Sequence, residues 1–302
     1  MDKNLGFGLL AGLISGAAYV SGQYGSLPGV ILANFSALPL FLAGLSLGKK
    51  SSIVAGTSAI LTVIFMSNPL IGGFFSISIA IPSWLIISYA LKYSGGDSGQ
   101  KLWYPAGKSL APIILYASCL VSLILIFYSF RHPNINEMVG NTLKTLLANN
   151  IKLINTESFN LLTSIFPGMV AAIWIVMLTV NCVLAQKLLI KYQLAIRPTP
   201  MYKNLSVPEW VYWGFILAFL VGFISNGNIE YIGQNLTVIF AVPFVYAGLG
   251  CIHILASNAS FSGLLITLTY TVIFILGWPL LVVFIIGFFK EWFGLKPQEK
   301  TS

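Results

Sequence analysis

About nine apolar runs of the length that crosses a bilayer divide this chain, separated by short polar connectors. They fall near Leu5–Val20, Pro28–Leu47, Ser51–Met66, Leu70–Leu91, Leu110–Phe130, Ile165–Ile190, Val211–Ile224, Asn235–His253 and Phe261–Phe289. Inside hydrocarbon a backbone must satisfy its own hydrogen bonds, so each run predicts a helix. The last run is too long for one ordinary span and is broken by Gly277-Trp278-Pro279. It reads as one tilted, kinked helix or as two short ones, and Lys290, Lys296 and Lys300 favour a cytoplasmic tail and hence two crossings. The pattern predicts an all-α polytopic transmembrane helix bundle of about nine or ten spans. It forms a single integral membrane domain over 1–302, with a first helix group at 1–92 and a cytoplasmic loop at 93–108. Central helices follow at 109–190 with an extracytoplasmic loop at 131–163, then a cytoplasmic loop at 191–208 and a last helix group at 209–302.

Composition sharpens this. Charged residues make up 8% of the 302 positions, against roughly 25% in an ordinary soluble domain. The net charge of +8 is scattered over the connectors. That suits the positive-inside bias of cytoplasmic loops and does not build the basic face of a nucleic-acid binder. Lys49-Lys50 and the basic residues of 92–108 and 187–203 alternate with connectors that are neutral or acidic, such as Ser67-Asn68-Pro69 and Asn226–Glu230. The alternation predicts a cytoplasmic N-terminus in a plasma (inner) membrane. The first run lacks a small-x-small cleavage site followed by a polar region and reads as a retained helix. Cys119, Cys182 and Cys251 each sit alone in an apolar run, which supports neither a zinc site nor a disulfide framework.

One stretch organises the rest. Asn235–His253 is apolar, yet carries Pro243, Ala247-Gly248, Gly250 and His253. Its P-x-x-x-A-G-L run, Pro243 with Ala247-Gly248-Leu249, repeats an earlier one, Pro39 with Ala43-Gly44-Leu45. Each is followed by a small-residue turn and a helix containing Thr-Val-Ile-Phe, at Thr62–Phe65 and at Thr271–Phe274. With the topology above the paired segments point the same way, the signature of a parallel internal repeat, and transporters built that way bind substrate where the repeats meet.

Polar and small residues inside the spans are the candidate functional positions. Gly8, Gly12 and Gly16 share one helix face, for packing within the chain or for docking a partner subunit. Asn181 in a spanning helix faces other helices or a cavity, either as an interhelical hydrogen bond or as a ligand contact. Trp174, Asn235 and Tyr246 join it as candidate solute-facing residues, and so does His253, which reads as a ligand contact, a proton relay or a packed interfacial residue. His132, in a connector beside Arg131 and Pro133, reads as solvated. Leu143, Leu146, Leu147, Ile151 and Ile154 recur at helical spacing and predict a short amphipathic helix on the outer surface, as a connector or as a cap. Ser94–Gly99 reads as a flexible turn. Gly107-Lys108-Ser109 mimics the tail of a phosphate-binding loop, but the glycine required five residues earlier is Leu102, so no nucleotide site is predicted.

Several strings together resemble a known family. They are LPLFLAGLSLG at Leu38–Gly48, IPSW at Ile81–Trp84, WYPAGKSL at Trp103–Leu110 and FPGMVAAIW at Phe166–Trp174. Asn181, RPTP at Arg197–Pro200, VPEW at Val207–Trp210 and FVYAGLGCIH ending at His253 complete the set. In order and spacing the chain resembles an uncharacterised bacterial family of multi-pass inner-membrane proteins, named only as a domain of unknown function. That family is distantly similar to the substrate-binding subunits of energy-coupling-factor transporters. The resemblance supplies no catalytic residues, and this chain has more spans than the six-helix core of those subunits. Those subunits dock to their coupling partner through small residues on a membrane helix, and Gly8, Gly12 and Gly16, with Ala11 and Ser15 beside them, would be the matching surface.

The spans carry almost no ionisable side chain, which disfavours coupling through a carboxylate relay. They show no Ser–His dyad with a supporting motif, no Asp pair and no metal-ligand cluster, so the sequence reads as non-enzymatic with no cofactor. It predicts a transport-related component that binds a small solute, surrounded by lipid and energised by a membrane or ATPase partner subunit. The alternative is a membrane scaffold or regulatory partner.

Overall fold

A computed structural model describes residues 3–95, 101–146, 155–199, 205–257 and 259–290. They form thirteen α-helices and one short hairpin: an all-α, membrane-type fold. Seven helical stretches are long and apolar enough to cross a membrane: Asn4–Tyr24, Leu27–Leu47, Lys49–Met66, Pro69–Ala90, Gly107–Ser129, Thr156–Lys191 and Gly227–Ser257. Three further apolar helices are shorter, at Glu209–Ile224, Ser262–Leu276 and Pro279–Phe289. The chain packs as two compact units, one of Met1–Ile113 with Trp174–Pro200, the other of Ile114–Ile173 with Met201–Ser302.

The first unit contains α1 (Lys3–Ser21), α2 (Leu27–Asn34), α3 (Ala37–Leu47) and α4 (Lys49–Met66). It continues with α5 (Pro69–Phe75), a π-helical turn (Ser76–Ala80), α6 (Ile81–Ala90) and the hairpin β1 (Tyr93–Gly95) with β2 (Lys101–Trp103). The start of α7 (Ala106–Ser129) and the second half of α9 (Thr156–Lys191) belong here too. Its centre is the pairing of α1 with α4. Gly8, Gly12 and Gly16 lie against Ser51, Val54, Ala55, Ser58, Ala59 and Thr62, small side chains that let the two backbones approach. Ser58 Oγ donates to Leu9 O at 3.0 Å across that contact. Val20, Leu40, Ala43, Ala55, Ala59, Val63 and Phe75 fill the core beside it, with Tyr19 edge-on to Phe75 at 4.9 Å.

The second unit contains the rest of α7, α8 (Ile135–Leu146), the first half of α9, α10 (Glu209–Ile224), α11 (Gly227–Ser257), α12 (Ser262–Leu276) and α13 (Pro279–Phe289). α10 meets α11 where Gly222 faces Gly233, and α13 meets α11 where Gly287 lies on Phe244 O and Gly248 on Val283 O. Around that second contact Tyr212, Phe215, Phe244, Phe284 and Phe288 form an aromatic cluster, with Tyr212 to Phe244 at 4.7 Å and Phe244 to Phe288 at 5.1 Å. No described residue of α12 is buried. The two P-x-x-x-A-G-L runs fall in different units, and in each the glycine is a close contact for another helix. Gly44 takes Ile87 of α6, and Gly248 takes α13.

The structure departs from the sequence pattern where a run is interrupted four residues before a proline, at Phe35 before Pro39 and at Ser78 before Pro82, or continues through a breaker. The run at Pro28–Leu47 is two helices parted at Phe35-Ser36. The run at Leu70–Leu91 contains the π-helical turn. Ser94 and Gly95, read as a flexible turn, pair in the hairpin with Tyr93 opposite Trp103. Lys92 stands over the Tyr104 ring at 5.4 Å and Lys101 over Tyr93 at 5.0 Å, cation–π contacts that hold this basic, aromatic corner. α9 begins at Thr156 instead of near Ile165, capped by Asn155, whose Oδ1 accepts from Ser158 N at 2.7 Å. α11 likewise begins at Gly227 and runs through Pro243. The amphipathic helix is α8, beginning at Ile135; positions 147–154 of the expected stripe lie outside the described residues. The run at Phe261–Phe289 is two helices, parted at Gly277, whose φ of 70° suits only glycine well.

Candidate functional site

Four polar side chains inside the spans, Tyr231, Asn235, Trp174 and Asn181, each reach a backbone group at a place where another helix is interrupted. Proline creates two of these places. Pro167 sits inside α9 and has no N–H to give Thr163 O, and its ring disturbs the next rung as well. Tyr231 OH of α11 donates to Thr163 O at 3.0 Å. Asn235 of α11 then inserts its amide into the broken rung: its Oδ1 accepts from Gly168 N at 2.7 Å and its Nδ2 donates to Ser164 O at 2.9 Å. The same Nδ2 reaches Tyr231 O at 2.7 Å. Position 168 must be glycine, because a Cβ there would lie 2.9 Å from the Asn235 Cα. Asn235, read from sequence as solute-facing, is fully buried and engaged at both ends in mending α9.

Pro82 does the same in the first unit, where it denies Ser78 O its i+4 donor beside the π-helical turn. Trp174 of α9 donates its Nε1 to that carbonyl at 2.8 Å. Two turns further along α9, Asn181 serves the break between α2 and α3. Leu38 N, which in an unbroken helix would donate to Asn34 O, donates to Phe35 O instead. Asn181 Nδ2 takes the vacated Asn34 O at 3.0 Å and its own Met177 O at 2.8 Å. Both partners are acceptors, so the amide's orientation follows from the network. Ser15 Oγ of α1 donates to Ser36 O at 2.6 Å on the other side of the break.

Two oxygens at this break stay unused. Asn181 Oδ1 and Ser36 Oγ are buried without a hydrogen-bond partner among the described residues. Asn181 is 1% exposed and Ser36 0%. A buried polar atom left without a partner is unfavourable by about 1–3 kcal/mol. Ser83 Oγ and Ser118 Oγ are others, but among the described residues only at this break do two such atoms flank an interrupted helix.

The remaining sequence-selected residues lie elsewhere. Asn181 and Trp174 share the first unit, whereas Asn235, Tyr246 and His253 are all on α11 in the second. Tyr246 is half-buried with its hydroxyl enclosed. His253 Nε2 lies 3.1 Å from Tyr270 OH, which ties α11 to α12. That tie is single and partly exposed, so Tyr270→Phe should lower thermal stability by less than about 1 kcal/mol, as a detergent melting curve would show. Gly8, Gly12 and Gly16 face α4.

Sequence reasoning missed two buried cations, both counted as connector charges. Arg197 donates to Ala90 O at the end of α6 at 3.0 Å and to Tyr104 O at 2.7 Å, and its own carbonyl accepts from Gln186 Nε2 at 2.8 Å. A guanidinium at a helix C-terminus satisfies orphan carbonyls and complements the helix dipole. Lys290 donates to Leu205 O at 2.9 Å. The Arg197-Pro198 pair, a cation set in a proline-rich connector, was the available signal. No group of three or more His, Cys, Asp or Glu that could hold a metal ion occurs among the described residues.

A family profile described as Predicted membrane protein (DUF2232) matches residues 19–289 of this chain. No curated protein and no solved structure matches it.

Proposed function

The chain belongs to this predicted membrane protein family, and from that premise we propose that it is a non-enzymatic, transport-related component that binds a small solute within the membrane. The observation that carries this reading is the α2–α3 break with its two unused oxygens. Interrupted membrane helices occur where the freed groups are satisfied by neighbouring helices or line a cavity, and here two polar atoms remain beyond what the neighbours use. The surrounding helices carry no charged side chain between Asn4 and Gly48 or between Ser158 and Gln186. A neutral or weakly polar solute suits such a lining, and with no ATP-binding motif in the chain any ATP-driven step belongs to a partner subunit of the kind that serves energy-coupling-factor transporters. The positive charge of the connectors supports an N-terminus on the cytoplasmic side, and the resemblance to a bacterial inner-membrane family supports a bacterial plasma membrane.

The test is gentle extraction into detergent followed by mass spectrometry of everything small that stays bound. A discrete organic molecule should accompany the wild-type protein and fall by about tenfold or more in Asn181→Leu, a change of roughly 1.4 kcal/mol in affinity. Recovery of lipid alone, from both proteins, would overturn the transport reading in favour of a membrane scaffold or regulatory partner.

A further inference from the structure

We propose that the α2–α3 break is a binding site for a monovalent cation, with sodium its natural probe. The groups brought together there are oxygens. The N–H groups of Phe35, Ser36 and Leu38 are turned onto local carbonyls, of Leu32, Ala33 and Phe35 respectively, and Pro39 has none. What remains is Asn181 Oδ1 and Ser36 Oγ, both unpartnered, with the carbonyls of Asn34 and Ser36, each of which accepts from a side chain and keeps a second lone pair. Asn34 closes α2 and Ala37 opens α3, so the negative end of one helix dipole meets the positive end of the other and the local oxygens decide the sign of the ion. The Asn181 amide is fixed there because its nitrogen is held by two carbonyls.

Neutral hard oxygens without a carboxylate are the donor set of a monovalent ion; calcium and magnesium call for carboxylates. In secondary transporters, unwound carbonyls and half-helix C-terminal ends coordinate sodium near the middle of the bilayer. The sequence argument against ion coupling applied to carboxylate relays and leaves this chemistry open. The site deepens the transport reading, on which a coupling role for the ion rests; binding itself follows from the oxygens.

The experiment uses the full chain in detergent, melted in sodium chloride and in choline chloride of equal ionic strength, with radioactive sodium binding measured alongside. A ligand that binds only the folded state raises its stability in proportion to the logarithm of its concentration. The wild-type melting temperature should therefore climb with sodium and stay level with choline. Ser36→Ala removes only an unpartnered hydroxyl, so the protein should fold at least as well without sodium yet bind the ion about tenfold more weakly or worse. Asn181→Leu should lose the response altogether. Thr57→Ala, at an exposed hydroxyl of α4, should keep it. Equal melting of the wild type in both salts, as a buried water alone at the break would give, overturns the proposal. So does a Ser36→Ala protein that retains the full sodium response. A sodium response without any co-purified solute supports the site while counting against the solute reading, so the two stand or fall separately.

Discussion

Replacing Asn235 by leucine should lower the stability of the folded protein by about 2–4 kcal/mol, since it strands Gly168 N and Ser164 O and each orphaned group costs about 1–3 kcal/mol when buried. Single interhelical hydrogen bonds in membranes average nearer 0.6 kcal/mol, because the unfolded helices also find partners. Asn235 exceeds that figure for a structural reason: two of its three bonds serve a rung that α9 cannot close by itself while Pro167 stands in it. The same reasoning predicts a rescue. Pro167→Ala returns an N–H to Thr163 O and lets the ladder of α9 run through, so Asn235→Leu should cost much less in that background. Reversible unfolding in mixed micelles, run as a double-mutant cycle, should give a coupling of at least about 1 kcal/mol between positions 167 and 235. Equal costs in both backgrounds would show that Asn235 stabilises by packing alone.

How far the sequence discloses this protein depends on which interaction is asked about. Helix existence was legible because apolar run length answers to bilayer thickness, a constraint that needs no tertiary information. Interruptions were legible where a local signal causes them, as Gly277 parts α12 from α13, whereas the cap of α9 at Asn155 was missed because the hydropathy of Thr156–Ser164 hides the start. The break at Phe35-Ser36 lies four residues before Pro39, which denies Phe35 O its i+4 donor, but the partners that satisfy its other carbonyls, Ser15 and Asn181, are distant in the chain. The candidate residues show the same limit. Asn181, Asn235 and Trp174 stand out as polar groups in apolar helices, but their partners are backbone atoms of other helices, which no side-chain pattern encodes. Arg197 was hidden for the opposite reason, since a cation in a connector looks solvated until the fold closes over it.

Gly12→Leu should be more disruptive still, and the graded series around it says why. A Cβ at Gly12 would fall on Ala55 O, 2.6 Å from Ser58 Cβ and 2.9 Å from Ala59 N. Two of those atoms are backbone of α4, which cannot swing aside as a side chain can. At Gly8 the nearest atom, Ser51 O, is 3.1 Å away and the next are the flexible methyl-bearing carbons of Val54. Alanine at position 8 should therefore cost about 1 kcal/mol or less, and alanine at position 12 about 3 kcal/mol, at or beyond the upper end of ordinary overpacking. Leucine at 12 has to part α1 from α4, and with it the Ser58 to Leu9 bond and the core of Val20, Ala55 and Ala59. Folded yield in detergent should collapse. Truncating Ser58 to glycine should rescue little, because the backbone of Ala55 and Ala59 still blocks the space. Two helices this close leave the glycine face occupied by the chain's own α4, so a partner docking through these three glycines would first have to displace that helix. Cross-linking of α1 to α4 through paired cysteines at Leu9 and Ser58, in native membranes, tests this directly. Efficient cross-linking keeps the face internal, whereas its absence in a folded protein would return the glycines to a partner.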